Sequence, residues 1–133
     1  MSAETPTFFP RKFLLEHFTS ANCNQCPMGM KYIVEYLDKQ TTPYIWVSHH
    51  AVYGTDEYTT SHGNTIASRY GIHNVPTVMI NRSEQQGILI LDAKNHLSEL
   101  EVGCNPMAEA SVVITHSYDP VTRQLDVQVC GEV

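Results

Sequence analysis

This 133-residue chain predicts an α/β fold that ends in a β-hairpin, and three observations lead there. Short apolar runs alternate with segments of helical period through the first hundred residues. Two later segments, Ser111–Tyr118 and Gln124–Cys130, alternate apolar with polar residues around "DPVTR". Apolar residues make up 42% and charged residues 17%, a globular balance in a chain long enough for one domain with a core.

Residues 1–11 read as a flexible lead-in. "KFLLEHF" (Lys12–Phe18) is an apolar run that predicts a buried strand. After Pro27, the residues Met30, Ile33, Val34 and Leu37 recur at i, i+3, i+4 and i+7, which predicts one apolar stripe on a helix ending before "QTTP". "YIWVSHH" (Tyr44–His50) opens with continuous apolar residues, as a strand covered on both faces does, so Tyr44–Trp46 is expected in the core. Ala51–Thr60 is a polar, Tyr-rich loop. Ser61 is a candidate cap for the next helix, and Gly71 a candidate left-handed closure. "VPTVMINR" (Val75–Arg82) predicts a third strand and "ILIL" (Ile88–Leu91) a fourth. Asp92 is placed to cap a last helix carrying Leu97 and Leu100 and closed at Gly103.

A lone two-stranded hairpin is marginal in water, so residues 106–133 are expected to begin a second β domain, with 12–105 forming the first. The net charge of −6 argues against nucleic acid, which calls for a basic face. No run approaches the roughly 20 apolar residues that span a bilayer. "MSAETPTFFPRKF" has no apolar signal-peptide core.

The chemistry rests on "FTSANCNQCPMGMKYIVEYL", in which Cys23 and Cys26 stand where a helix begins. Such a pair is redox-active, half of a metal site, or a static disulfide. Zinc needs four ligands; the other cysteines, Cys104 and Cys130, are distant, and His49 and His50 are adjacent rather than spaced. A copper carrier would draw on two cysteines and one of His49, His50 or His62, but its usual spacing is Cys-x-x-x-Cys, so no metal is expected. A cysteine at a helix N-terminus meets unpaired N–H groups and the positive end of the dipole, which favour thiolate. Cys23 is then the exposed nucleophile and Cys26 the more buried resolving thiol. A Cys104–Cys130 bridge is sterically possible, as are two free thiols. Tyr53 and Tyr58 are candidates for an apolar lip near the pair.

The order strand, "CNQC", helix, strand, helix, "YGIHNVPTVMI" resembles the thioredoxin-like family over residues 12–103, and the spacing from Cys26 to Pro76 fits with a modest insertion at 51–63. "LLEHFTSANCNQCP", "SHH" and "VPTVMINR" are similar, more narrowly, to thioredoxin-like domains of bacterial outer-membrane lipoproteins, in which a β-rich domain follows. The resemblance implies a central mixed sheet flanked by helices and a cis-Pro76 beside the cysteines. It implies a substrate shelf formed by Val75, Pro76 and Thr77. It also implies thiol-disulfide exchange outside the cytoplasm, at the periplasm or outer membrane. No cofactor is called for, and the partners are protein thiols or disulfides and a redox partner. The alternative is a non-catalytic binding or structural module of a cell-surface lipoprotein. Three positions depart from the pattern. Asn24-Gln25 is not a familiar dipeptide, Asn22 replaces the usual Trp, and His17 stands where many thioredoxins carry a buried acidic proton acceptor. His17 is therefore a candidate base, set against an inert strand histidine.

Overall fold

The computed structural model describes residues 8–101 and 106–133. The chain forms two compact units, Lys12–Cys104 and a second that joins Met1–Arg11 to Asn105–Val133. The first unit is α/β. Its mixed four-stranded sheet has the order β3-β2-β4-β5, with β2 Phe13–Thr19, β3 Tyr44–His50, β4 Thr77–Ile80 and β5 Leu91–Asp92. β2 runs parallel to β3 and antiparallel to β4. The parallel pair needs a crossover, and helix α1 (Cys26–Leu37) supplies it. Helix α2 (Ser61–Arg69) precedes β4. The short α3 (Ala93–His96) and a 3-10 turn (Leu97–Glu99) follow β5.

Side-chain alternation in β2 divides the core. Phe13 and Leu15 face α1 and pack with Ile33, Tyr36, Leu37, Val78, Ile80 and Leu97. Phe18 points the other way, to Ala51, Ala67 of α2, Ile72 and Met79. In β4 the same alternation sends Val78 and Ile80 to one layer and Met79 to the other. Burying each such side chain contributes about 1.5–3 kcal/mol.

Several elements differ from expectation for physical reasons. β3 is an edge strand, so Tyr44, Ile45 and Val47 remain 38–50% exposed; of the Tyr44–Trp46 run, Trp46 packs on the core and Tyr44 reaches it through the Phe13 ring, 5.8 Å between centroids. The buried stripe of α1 is Cys26, Gly29, Ile33, Tyr36 and Leu37, whereas Met30 and Val34 are exposed. The helix meets the sheet through its Cys26 face, one step around from the predicted stripe. Thr60, not Ser61, caps α2; its hydroxyl accepts from the Gly63 N–H at 3.0 Å. Gly71 ends that helix at φ 66° as expected. Asp92 caps α3 by accepting from the Asn95 N–H at 2.8 Å, but the helix is one turn long and passes into the 3-10 turn. The Gly103 closure lies outside the described residues.

The third strand is shorter than Val75–Arg82. Asn81 and Arg82 adopt φ 53° and 49°, which ends β4. In return the Asn81 side chain accepts from the Leu14 N–H at 2.8 Å, while its own N–H donates to Leu14 O. The predicted strand at Ile88–Leu91 becomes a tight Gln85–Ile88 bridge and a two-residue β5.

Left-handed Arg82 reaches back over Tyr70 to Glu16. Its Nε and one terminal nitrogen each donate to the Glu16 carboxylate at 2.8 Å. His49 Nε2 completes the cluster, 3.1 Å from Glu16 Oε1. Glu16 is 2% exposed, and the Arg82 hydrogen bonds hold its carboxyl below the usual range against the opposing effect of burial.

In the second unit, β1 (Phe9–Pro10), inside the segment read as a lead-in, pairs antiparallel with β6 (Met107–Ala108). β7 (Ser111–Asp119) and β8 (Gln124–Glu132) form the hairpin. Asp119 Oδ1 accepts from the Val121 and Thr122 N–H groups, and Arg123 takes φ 60°, which closes the turn. Val112, Ile114, Tyr118, Leu125, Val127 and Val129 share one face of the ribbon by register, and all are exposed. No helix among the described residues is long and apolar enough to cross a membrane.

Removing Arg82 strands a buried carboxylate. Arg82→Leu is expected to lower stability by roughly 2 kcal/mol, because the guanidinium side chain is itself 42% exposed. Glu16 has a folded pKa below its unfolded one, so its contribution is present above about pH 4.5 and lost as pH falls. Urea unfolding at pH 7 and pH 3.5 checks this: the gap between wild type and variant should narrow at the lower pH.

Candidate functional site

The topology brings three distant segments to one edge of the sheet. β2 and β3 are parallel, so the segments that follow them, Ser20–Gln25 and Ala51–Thr60, emerge side by side. β4 is antiparallel, so its lead-in, Val75–Pro76, arrives at the same edge.

Cys23 and Cys26 are joined in a disulfide there. Helix α1 begins at Cys26 itself, with Gln25 as N-cap and Pro27 in the first turn, where its missing N–H is harmless. Cys23 therefore lies in the turn before the helix rather than at its N-terminus. Its N–H donates to Ser20 O at 3.2 Å. The exposure order matches expectation: Cys23 is half-buried and Cys26 is 4% exposed.

Val75, Pro76 and Thr77 lie beside the pair. Cys23 Sγ is 3.8 Å from Val75 O, 52 residues away in sequence. The Val75–Pro76 peptide is cis. Thr77 Oγ1 donates to Asn74 O at 3.0 Å, which braces the turn before β4. Gly29 explains how Pro76 reaches α1: a Cβ on Gly29 would sit 2.5 Å from both Cβ and Cγ of Pro76. Only glycine admits the proline ring at that distance. Beside this contact an open cleft of about 480 Å³ runs along Gln25, Met28, Gly29, Tyr32 and Pro76 to Lys94. Its size falls in the range of ligand sites.

His17 shares the face of Phe13 and Leu15, which packs on α1, and is fully buried. Its Nδ1 lies 3.2 Å from Ser48 Oγ, and its ring centroid is 6.3 Å from that of Trp46. Its Nε2 and Trp46 Nε1 are both buried without a hydrogen-bond partner among the described residues. Desolvation, with smaller effects from His50 and His49, pushes its pKa down to about 4. At pH 7 it is a neutral imidazole that can take a proton but holds it poorly.

His49 and His50 do not converge on the sulfurs. His49 pairs with Glu16, and His50 Nδ1 donates to Asp56 Oδ2 at 2.8 Å. Among the described residues no group of three or more His, Cys, Asp or Glu is arranged to hold a metal ion. Cys130 is an exposed free thiol, and Cys104, its candidate partner, lies outside the described residues. Sequence reasoning missed Glu16, Asp56, Arg82 and Gly29. Only the "NR" that ends the third strand hinted at any of them, since its partner lies 66 residues away. Comparison with protein-family models, curated proteins and solved structures found no match for the chain.

Two outcomes test this geometry. Gly29→Ala must displace Pro76 or α1 and should cost about 1–3 kcal/mol in urea unfolding, the usual range for overpacking. His17 has a folded pKa below its unfolded value, so the native state is fully stable above about pH 6.5 and loses stability as pH falls toward 4. That loss should be about 3 kcal/mol across the interval. It should be absent from His17→Leu in the same pH series.

Proposed function

We propose that the chain is a thioredoxin-like thiol-disulfide oxidoreductase that works on protein thiols and disulfides outside the cytoplasm. The observation that carries the reading is the meeting of the Cys23–Cys26 pair with the Val75–Pro76 segment, next to an open cleft lined by Asn24, Gln25 and Pro76. A Cys23–Cys26 disulfide is also compatible with an oxidising compartment such as the periplasm or outer membrane.

From the disulfide form, a substrate thiolate attacks Cys23 Sγ. A bond forms between the substrate sulfur and Cys23, the Cys23–Cys26 bond breaks, and Cys26 leaves as a thiolate that takes a proton. A second substrate thiolate then attacks the first substrate sulfur and expels Cys23. The substrate dithiol is oxidised to a disulfide, and the pair is reduced by two electrons. The reverse sequence reduces a substrate disulfide, and a dithiol redox partner then restores the reduced pair. Cys23 is the sulfur in contact with substrate because it is the more exposed of the two. Val75 offers its carbonyl to an extended substrate segment, and Met28, Tyr32 and Pro76 offer apolar contact. Neutral His17 behind the pair is the candidate proton acceptor for Cys26, but its low pKa limits it to transient protonation.

Redox titration of the pair with insulin reduction tests the reading. The expected potential lies above about −300 mV, with turnover abolished in Cys23→Ser and a trapped mixed disulfide in Cys26→Ser. A pair that stays oxidised well below that potential, in a protein without turnover, is a structural bridge of a binding module.

A further inference from the structure

One carboxylate joins the loop after β3 to the turn that leads into Cys23. Asp56 Oδ2 accepts from the Ala21 N–H at 2.7 Å and from His50 Nδ1 at 2.8 Å, with Ser20 Oγ 3.3 Å away. Asp56 Oδ1 accepts from the Tyr58 N–H at 2.8 Å and from Thr59 Oγ1 at 3.2 Å. The Asp56 side chain is 5% exposed. Around it the two segments are stitched further. Ser20 Oγ lies 3.2 Å from Tyr53 O and accepts from the Asn22 N–H at 3.1 Å, and the Ala51 N–H donates to Thr19 O at 3.1 Å. Gly54, at φ 72°, lies within ordinary contact distance of Asn22: a Cβ on it would be 3.9 Å from Asn22 Nδ2.

The loop held this way carries two aromatic residues exposed to solvent. Tyr53 is 58% and Tyr58 60% exposed, and Tyr58 leans on the His50 ring at 5.1 Å between centroids. An acidic side chain satisfied by this many donors does more than solubilise a loop: it holds the loop in one place. Large aromatic side chains held in the open on a loop docked to the turn that leads into Cys23 suit contact with polypeptide.

We propose that Asp56 is a positioning residue that sets substrate size: it docks the loop 51–60 against Ser20–Asn22 so that Tyr53 and Tyr58 form a lip for polypeptide substrates on the Asn22 side of Cys23. The inference rests on the oxidoreductase reading above.

The variant Asp56→Asn keeps the size of the side chain but replaces one acceptor oxygen by an NH2 group. The Ala21 and His50 donors then lose their partner, or Tyr58 and Thr59 do. With reduced protein, the KM for insulin should rise about tenfold with kcat within about twofold. The rate with a small aromatic disulfide, 5,5′-dithiobis(2-nitrobenzoic acid), should stay within about twofold. Tyr53→Ser with Tyr58→Ser, both at exposed positions, should reproduce the KM rise while the Ala21 amide still exchanges slowly, which shows that Asp56 keeps the loop docked. An equal fall for both substrates, or an insulin KM unchanged in the double Tyr variant, overturns the proposal. The docking itself is read without turnover from the Ala21 amide in the wild-type protein. It should exchange slowly with solvent, and at least tenfold faster in Asp56→Ala, which removes both acceptor oxygens. A fast-exchanging wild-type Ala21 amide sinks the latch whatever the activity. Slow exchange in a protein inactive on both substrates sinks the oxidoreductase reading instead.

Discussion

Glu16 carries a charge into the middle of the central strand, and the arrangement of the sheet follows from how that charge is met. Its carboxylate takes two hydrogen bonds from Arg82, beyond the end of β4, and faces His49 of β3, so one side chain ties three segments. A one-residue slip of β2 would turn every side chain to the opposite face. Glu16 would then enter the layer of Phe13, Leu15 and Ile33, where no cation waits. Buried ion pairs add little net stability, because desolvation offsets most of their attraction. Their effect here is to make the wrong register expensive. With the register set, His17 must face α1 and Thr19 must end the strand where the cysteine turn begins.

The convergence of the cysteines, the proline and the Asp56 loop is a second consequence of the same register. Parallel pairing of β2 with β3 sends two connections out at one edge, and antiparallel pairing with β4 brings a third in. These connections are then fastened by different means. Pro76 reaches α1 through the missing side chain of Gly29, a purely steric fit. The loop 51–60 reaches Ser20–Asn22 through a carboxylate and its donors. Cys23 stands between a rigid apolar contact and a polar one.

How much of this could be read from residue order depends on the range of the signal. The alternation of elements, the cysteine pair and the hairpin are local patterns and were legible. So were the Gly71 closure and the Asp92 cap, which need only a few neighbouring residues. The edge position of β3 was not, because "YIWVSHH" has the apolar character of an interior strand. Its place is decided by which strand lies beyond it, and none does among the described residues. The stripe of α1 was misjudged because its buried face runs through Cys26, Gly29, Ile33, Tyr36 and Leu37, and the first two are too small to mark an apolar stripe. Glu16, Arg82 and Asp56 looked like ordinary surface charges. Nothing nearby in sequence tells that Arg82 turns left-handed and reaches a strand 66 residues earlier. His17 was singled out by its position behind the cysteines. Its burial accounts for the rest of its character, since desolvation favours the neutral ring.

The spacing of the cysteines bears on what their bond is for. In the chain-entropy account a cross-link stabilises by the loop it closes, and the gain grows with loop length. Cys23 and Cys26 are three apart, so the gain is about 2 kcal/mol, against roughly 4.7 for a hundred-residue loop. The turn they close is already held by the Cys23 N–H to Ser20 O, the Cys26 N–H to Cys23 O, and Asp56 on the Ala21 N–H. A staple placed here restrains a segment that other bonds already restrain. It leaves Cys23 half-buried, with its sulfur 3.8 Å from the Val75 carbonyl. On the proposed reading this is what exchange requires, because a short staple in a turn already restrained adds little support while its outer sulfur stays open to attack.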